Sequence, residues 1–170
     1  MSQTMRAEAV ITASLIALAA TVPQPAAALD SDSKEPIFIE ADRATYDEGT
    51  GETVYVGNVQ ATQGSLVVNS DQMTVYQKEG VTDKVVAIGK PVRLKQTPEG
   101  GGDDINGTSA RAEYFPEQNL LIMLDKAVVI QGNIRTESDR IEYDSAKGVA
   151  RAGSPNSNTK RVHVTIQPKE

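Results

Sequence analysis

From Pro36 onward the chain alternates apolar and polar residues with period two, or runs β-branched residues together in short stretches. The stretches fall at 37–39, 53–56, 59–61, 66–68 and 73–76, then at 85–88, 92–94, 120–124, 128–130 and 162–166. Gly, Asn, Asp and Pro close each one, at 47–51, Gly57-Asn58, Gln63-Gly64, Glu79-Gly80, Gly132-Asn133 and Lys147-Gly148. No stretch after residue 29 spaces its apolar residues as an amphipathic helix does. A chain punctuated this way can only be all-β.

The strands also echo one another. Gln63-Gly64 returns 68 residues later as Gln131-Gly132, and at the same offset Tyr46 meets Tyr114 and Asp71 meets Asp139. A shorter motif recurs four times: EADRATY (40–46), NSDQMTVY (69–76), TSARAEY (108–114) and ESDRIEY (137–143). Its third position is Asp42, Asp71, Ala110 and Asp139, spaced 29, 39 and 29 residues apart. The longer interval reflects an insertion, TPEGGGDDIN (97–106), whose glycines and paired Asp read as a mobile loop. One such unit is too small to bury a face alone, whereas stacked units bury a continuous core. The expected architecture is therefore a sandwich or elongated roll with unpaired strands at its two ends.

Composition removes most chemistry. With no Cys and one His, thiolate centres, cysteine nucleophiles and multi-histidine metal sites are excluded. A net charge of −6 argues against a nucleic-acid partner. His163 alternates with Val162 and Val164 and reads as a solvated strand residue, and Asp103-Asp104 as solvated loop residues. Asp42, Asp71 and Asp139 are expected at strand starts as turn carboxylates accepting backbone N–H bonds. No D-x-D-x-D-G spacing supports calcium. No enzyme and no cofactor emerge.

Residues 1–28 read as an export signal. Arg6 opens it, an uncharged stretch fills 10–22, Pro23 and Pro25 break it, and Ala26-Ala27-Ala28 supplies small residues for cleavage. The stretch is too short for a bilayer span, which takes about 20 residues. Residues 29–34 then form a flexible linker, 35–167 the β domain and 168–170 a tail.

The run Gly57-Asn58-Val59-Gln60-Ala61-Thr62-Gln63-Gly64, followed by Asn69-Ser70-Asp71, resembles the LptA/OstA-like family of periplasmic lipopolysaccharide transport proteins. Pro36 to Asp42, Gly89-Lys90-Pro91-Val92 and Glu137-Ser138-Asp139-Arg140-Ile141 carry the same resemblance, which covers about 35–167. It implies a twisted, open β-jelly roll with an apolar interior groove, located in the periplasm. It also implies head-to-tail self-association, an LptC-like partner at the inner-membrane end and an LptD-like partner at the outer. Ala110 departs from the acidic residue of the other three units. A binding module for lipopolysaccharide, through its lipid A moiety, is the expected function. A structural β-roll polymerising by its edges without ligand is the alternative. A carbohydrate-binding sandwich is disfavoured by 4% aromatic residues and no Trp.

Strand parity then nominates the groove. Ile37, Ile39, Leu94 and Tyr114 are expected to face inward on parity and on the family match. Parity alone adds Val54, Val56, Leu66, Val68, Met73 and Val75 from the first half, and Val86, Ile88, Ile122 and Leu124 from the second. The expected partner edges are 35–40, with Pro36, Ile37, Phe38 and Ile39, and 161–167, with Val162, Val164 and Ile166.

Overall fold

The structure is a computed structural model that describes residues 32, 35–98, 101–144, 147, 149–154 and 161–168. The proposed export signal lies outside the described residues, as does the linker apart from Asp32. Ten antiparallel strands form a single sheet: β1 (Phe38–Glu40), β2 (Arg43–Asp47), β3 (Glu52–Gln63), β4 (Leu66–Lys78), β5 (Val81–Gln96), β6 (Ile105–Phe115), β7 (Leu120–Gln131), β8 (Ile134–Asp144), β9 (Val149–Ala152) and β10 (His163–Ile166). The six long strands follow one another as a meander, each pairing with the next. β1 and β2 both pair with β3 at one end, and β9 and β10 both pair with β8 at the other. The 3₁₀ turn Pro116–Gln118 links β6 to β7.

Register breaks align at one level across the six long strands, with one further shift between Tyr76 and Gln77 on β4. Pairing jumps between Val56 and Val59 on β3, Asn69 and Gln72 on β4, Ile88 and Val92 on β5, Thr108 and Arg111 on β6, and Leu124 and Ala127 on β7. A bulge bends its strand and increases the local twist. Bulges aligned across neighbours therefore fold the sheet along a line, here called the crease. On β3 the crease is Gly57-Asn58, with φ of 84° and 44°; on β7 it is Asp125-Lys126, with φ of 61° and 56°. These two pairs stand at the 68-residue offset read from the sequence.

The crease also explains the fourfold motif. Asp71, Ala110 and Asp139 are the residues that β4, β6 and β8 leave out of register, Ser70 and Ser109 beside them pair on one side only (with Val59 and Val92), and Ala41-Asp42 separates β1 from β2. The repeated aspartates thus sit at bends, and three of the four motif positions lie inside long strands instead of at strand starts. Asp42 does not cap a turn by accepting a backbone N–H. Its own N–H donates to the Gly57 carbonyl (3.0 Å), and its Oδ2 accepts from Asn58 Nδ2 (3.0 Å). One bent strand carries the work of two short ones, because the bulge keeps the neighbouring backbone pairs intact on both sides.

The crease divides the sheet into two arms. The β1 arm holds β1, β10 and the strand halves that include Ala61, Val68, Leu94 and Val129. The β2 arm holds β2, β9 and the halves that include Tyr55, Met73, Ala87 and Ile141. Val59, Val92 and Ser109, the largest fully buried side chains, cluster beside the crease. The tight loops Gly64-Ser65 and Gly132-Asn133 each open on a glycine at φ 55°, as two-residue hairpins with a left-handed first position require. The loop expected at 97–106 is shorter by two residues, since Ile105 and Asn106 already belong to β6. Asp104 is held there by Lys95 (2.8 Å) and Thr97 Oγ1 (2.8 Å).

Candidate functional site

The arms enclose a cavity of about 280 Å³. The β1 arm contributes Ile37, Ile39, Ala61, Leu66, Val68, Val92 and Leu94; the β2 arm contributes Tyr55, Met73, Val75, Val85, Ala87, Ala112, Tyr114, Leu121, Met123 and Tyr143. Polar side chains reach the lining near the tips of the arms: Asp32, Gln63 and Gln96 on one, Thr53, Gln77, Thr82 and Asn119 on the other. Burial pushes the Tyr114 and Tyr143 phenols above their ordinary value, with the Asp144 charge adding to the effect at Tyr143. Both stay neutral.

One contact shows how closely the arms approach. Leu94 from the β1 arm and Met123 from the β2 arm meet over the bare backbone of Gly107. A Cβ there would lie 2.2 Å from Leu94 Cδ2 and 2.9 Å from Met123 Cε. Glycine is required at this position by packing, with no demand on φ.

Asp32 anchors the chain at the lip of the β1 arm. Its carboxylate accepts from the Ser65 N–H (3.0 Å), the Ser65 hydroxyl (2.6 Å) and Gln96 Nε2 (3.0 Å). Burial alone would raise this carboxyl; the three hydrogen bonds outweigh burial and hold it below the usual carboxylate value.

The expected inward residues divide into two groups. Ile37, Ile39, Leu66, Val68, Met73, Val75, Leu94 and Tyr114 line the cavity. Val54, Val56, Val86, Ile88, Ile122 and Leu124 do not; each alternates with a lining residue and so occupies the outer face of the β2 arm. The misplacement has a physical origin. The stretches 85–88 and 120–124 are apolar on both faces, and in 53–56 the more apolar face, Val54 and Val56, is the outer one, so their own sequence does not mark the inner face. Val86 and Ile122 are as buried as a core residue, at 4% and 6% exposure, while facing outward. They stand in register with Glu113 and Glu142, whose ion pairs with Arg111 and Arg140 drape long side-chain stems over the same face.

A signal for the correct face was present one strand away. In Arg111-Ala112-Glu113-Tyr114 and Arg140-Ile141-Glu142-Tyr143 the charged residues alternate strictly with apolar or aromatic ones. Tyr114 pairs with Val85 and Leu121, which puts Val85 and Leu121 inside. The lining residues overlooked by strand-by-strand parity, among them Tyr55, Val85, Ala87, Leu121 and Met123, follow from that register.

The nominated edges lie where the chain order puts them. β1 and β10 are the two edges of the β1 arm, with Phe38 at 65% and Ile166 at 67% exposure; Val162 and Val164 are exposed beside Ile166, and Pro36 and Ile37 beside Phe38. The expectation lacked β2 and β9, which form the matching edges of the other arm. His163 is exposed on β10 opposite Glu137. Among the described residues no three His, Asp or Glu gather as a metal site would require.

Comparison with known proteins adds four findings. A family model described as LptA/(LptD N-terminal domain) LPS transport protein matches residues 38–149. The lipopolysaccharide export system protein LptH of Pseudomonas aeruginosa is 34% identical over 151 residues, covering 85% of this chain and 86% of that protein. The lipopolysaccharide export system protein LptA of Escherichia coli is 28% identical over 155 residues, covering 90% and 81%. A crystal structure of the Pseudomonas LptH, titled as the LptA-homologous periplasmic component of the lipopolysaccharide transport device, superposes with a TM-score of 0.74 at 32% identity. It covers 81% of this chain and 99% of that one.

Proposed function

The chain belongs to the LptA and LptD N-terminal-domain family of lipopolysaccharide transport proteins, and on that premise we propose that it carries lipopolysaccharide through the periplasm by sheltering the acyl chains of lipid A between its two arms. The observation that carries this reading is the groove itself: an apolar lining drawn from every long strand, including Leu94, Met73 and Met123. Each CH₂ in water costs about 0.8 kcal/mol, so an acyl chain of a dozen carbons costs roughly 10 kcal/mol to expose. A protein that moves such a lipid through water must offer an apolar surface along the route. The role is non-catalytic.

The same reading assigns the ends. Among the described residues, β1 with β2 and β9 with β10 present unpaired strand edges on both arms. Strand addition at such edges is a route to β-augmentation by a partner. A front edge meeting a back edge is a heterologous contact, which propagates as a chain or bridges two different partners. Head-to-tail self-association, an LptC-like partner at the inner-membrane end and an LptD-like partner at the outer end are the contacts proposed. Export by residues 1–28 would deliver the protein to the periplasm.

Exposed Phe38 and Ile166 equally suit a structural roll that polymerises without ligand. Mass spectrometry of lipid copurifying with the protein from a lipopolysaccharide-producing host separates the two. Stoichiometric acylated glucosamine lipid is expected; protein free of lipid, and unable to take up added lipid A, would rule out the transport reading.

A further inference from the structure

Thirteen Lys and Arg residues are described, and none lines the cavity. They stand on the outer face, on the crease, or in turns and loops. Arg93, Arg111 and Arg140 show the pattern, since each precedes a residue packed inside: Leu94, Ala112 and Ile141. His163 sits on the outer side of β10, in the row of Glu137. The charged side chain that does reach the lining is an anion, Asp32, and its hydrogen bonds to Ser65 and Gln96 keep it ionised. The remaining polar groups of the lining are neutral hydroxyls and amides.

We propose that the groove recognises its lipid by the acyl chains alone and is indifferent to the charge of the headgroup. This rests on the acyl-groove reading above and narrows it: the ligand class is any amphiphile with a suitable hydrocarbon chain, phosphorylated or not. The physical argument is one of position. A cation gains strength as a phosphate ligand when it is partly withdrawn from water and fixed near the anion. Here no described cation lines the cavity, those on regular strand positions being turned outward by alternation, so a phosphate on a bound lipid meets water and neutral groups. The lip it would pass on the β1 arm carries a carboxylate. Any selection for phosphorylated lipid then falls outside the groove.

The experiment is displacement of a fluorescent fatty-acyl probe from the purified protein by two amphiphiles of equal chain length, dodecyl phosphate and dodecyl maltoside, each kept below its micelle concentration. The salt concentration is varied from ~0.01 to ~1 M, which shortens the screening length from about 30 to about 3 Å. The phosphate compound is expected to be no better than about threefold stronger than the maltoside at any salt. An advantage of about tenfold or more at low salt that fades at high salt would overturn the proposal and leave the acyl-groove reading standing. Failure of both compounds to displace the probe would overturn the acyl-groove reading together with it.

Discussion

The Asp32 carboxylate fills the space where a side chain on Gly64 would begin: a Cβ at Gly64 would stand 2.1 Å from Asp32 Oδ1. The same relationship recurs 68 residues on, where a Cβ at Gly132 would stand 2.2 Å from Asp103 Oδ2. Both glycines also hold φ of 55°. Replacing either by Val therefore combines a left-handed backbone with a clash, and should cost about 1–3 kcal/mol in chemical denaturation. Gly80, at φ 80° with no atom within 4 Å of its Cβ position, is the control. Gly80→Asn should cost less than about 1 kcal/mol, because Asn tolerates this conformation and meets no neighbour. Equal stability of all three variants and the parent would mean that the hairpin glycines are incidental.

Acid should loosen the β1-arm lip. The folded-state value of Asp32 lies below its usual value of 3.8. The stabilisation is thus complete above the unfolded value and is lost as pH falls through the folded one. Urea midpoints of the parent should drop between about pH 5 and about pH 2.5 by more than those of Asp32→Asn. Asp104 and Asp144, also held low by Lys95 and Lys147, titrate in both proteins and cancel in the comparison. Parallel curves for the two proteins would show that the bonds from Ser65 and Gln96 add nothing.

Photo-crosslinking distinguishes the two faces of the sheet. A photoreactive residue at Ile39 or Leu94, both in the lining, should form adducts with lipopolysaccharide in cells. One at Ile88, which is 44% exposed on the outer face of the β2 arm, should not. Adducts at Ile88 equal to those at Leu94 would place the lipid on the surface and not between the arms.

Gly107→Val should separate the arms. The new side chain would displace Leu94 and Met123 from their contact, and overpacking of this kind costs about 1–3 kcal/mol. Acyl-probe binding should fall along with the denaturation midpoint. An unchanged midpoint would mean that the arms repack freely.

Removal of residues 162–170 takes away β10 and leaves the β1-arm half of β8 as the new edge. Light scattering of the truncated protein should no longer grow with concentration, while its β-type circular dichroism persists. Identical sizes for truncated and full-length protein at every concentration would exclude end-to-end association through β10.

The period-two pattern, the hairpin glycines and the fourfold motif determined the all-β class and the repetition of its strand units, because each depends on neighbours in the chain. In β4, where Met73 and Val75 alternate with Thr74 and Tyr76, the inward face was legible too. On the β2 arm the inward faces of β3, β5 and β7 were decided by tertiary structure. Val85-Val86-Ala87-Ile88 is apolar on both sides, and only pairing with Met73 and Val75 on one flank and Ala112 and Tyr114 on the other sends Val85 and Ala87 inward. The crease was decided there as well. Ser70-Asp71 and Ser109-Ala110 look like local turns in the chain, yet they become a fold line because the bulges of adjacent strands align across the hydrogen-bonded ladder. A side chain's face is set by register with its neighbours across the sheet, and a strand that is apolar on both sides carries no record of that register.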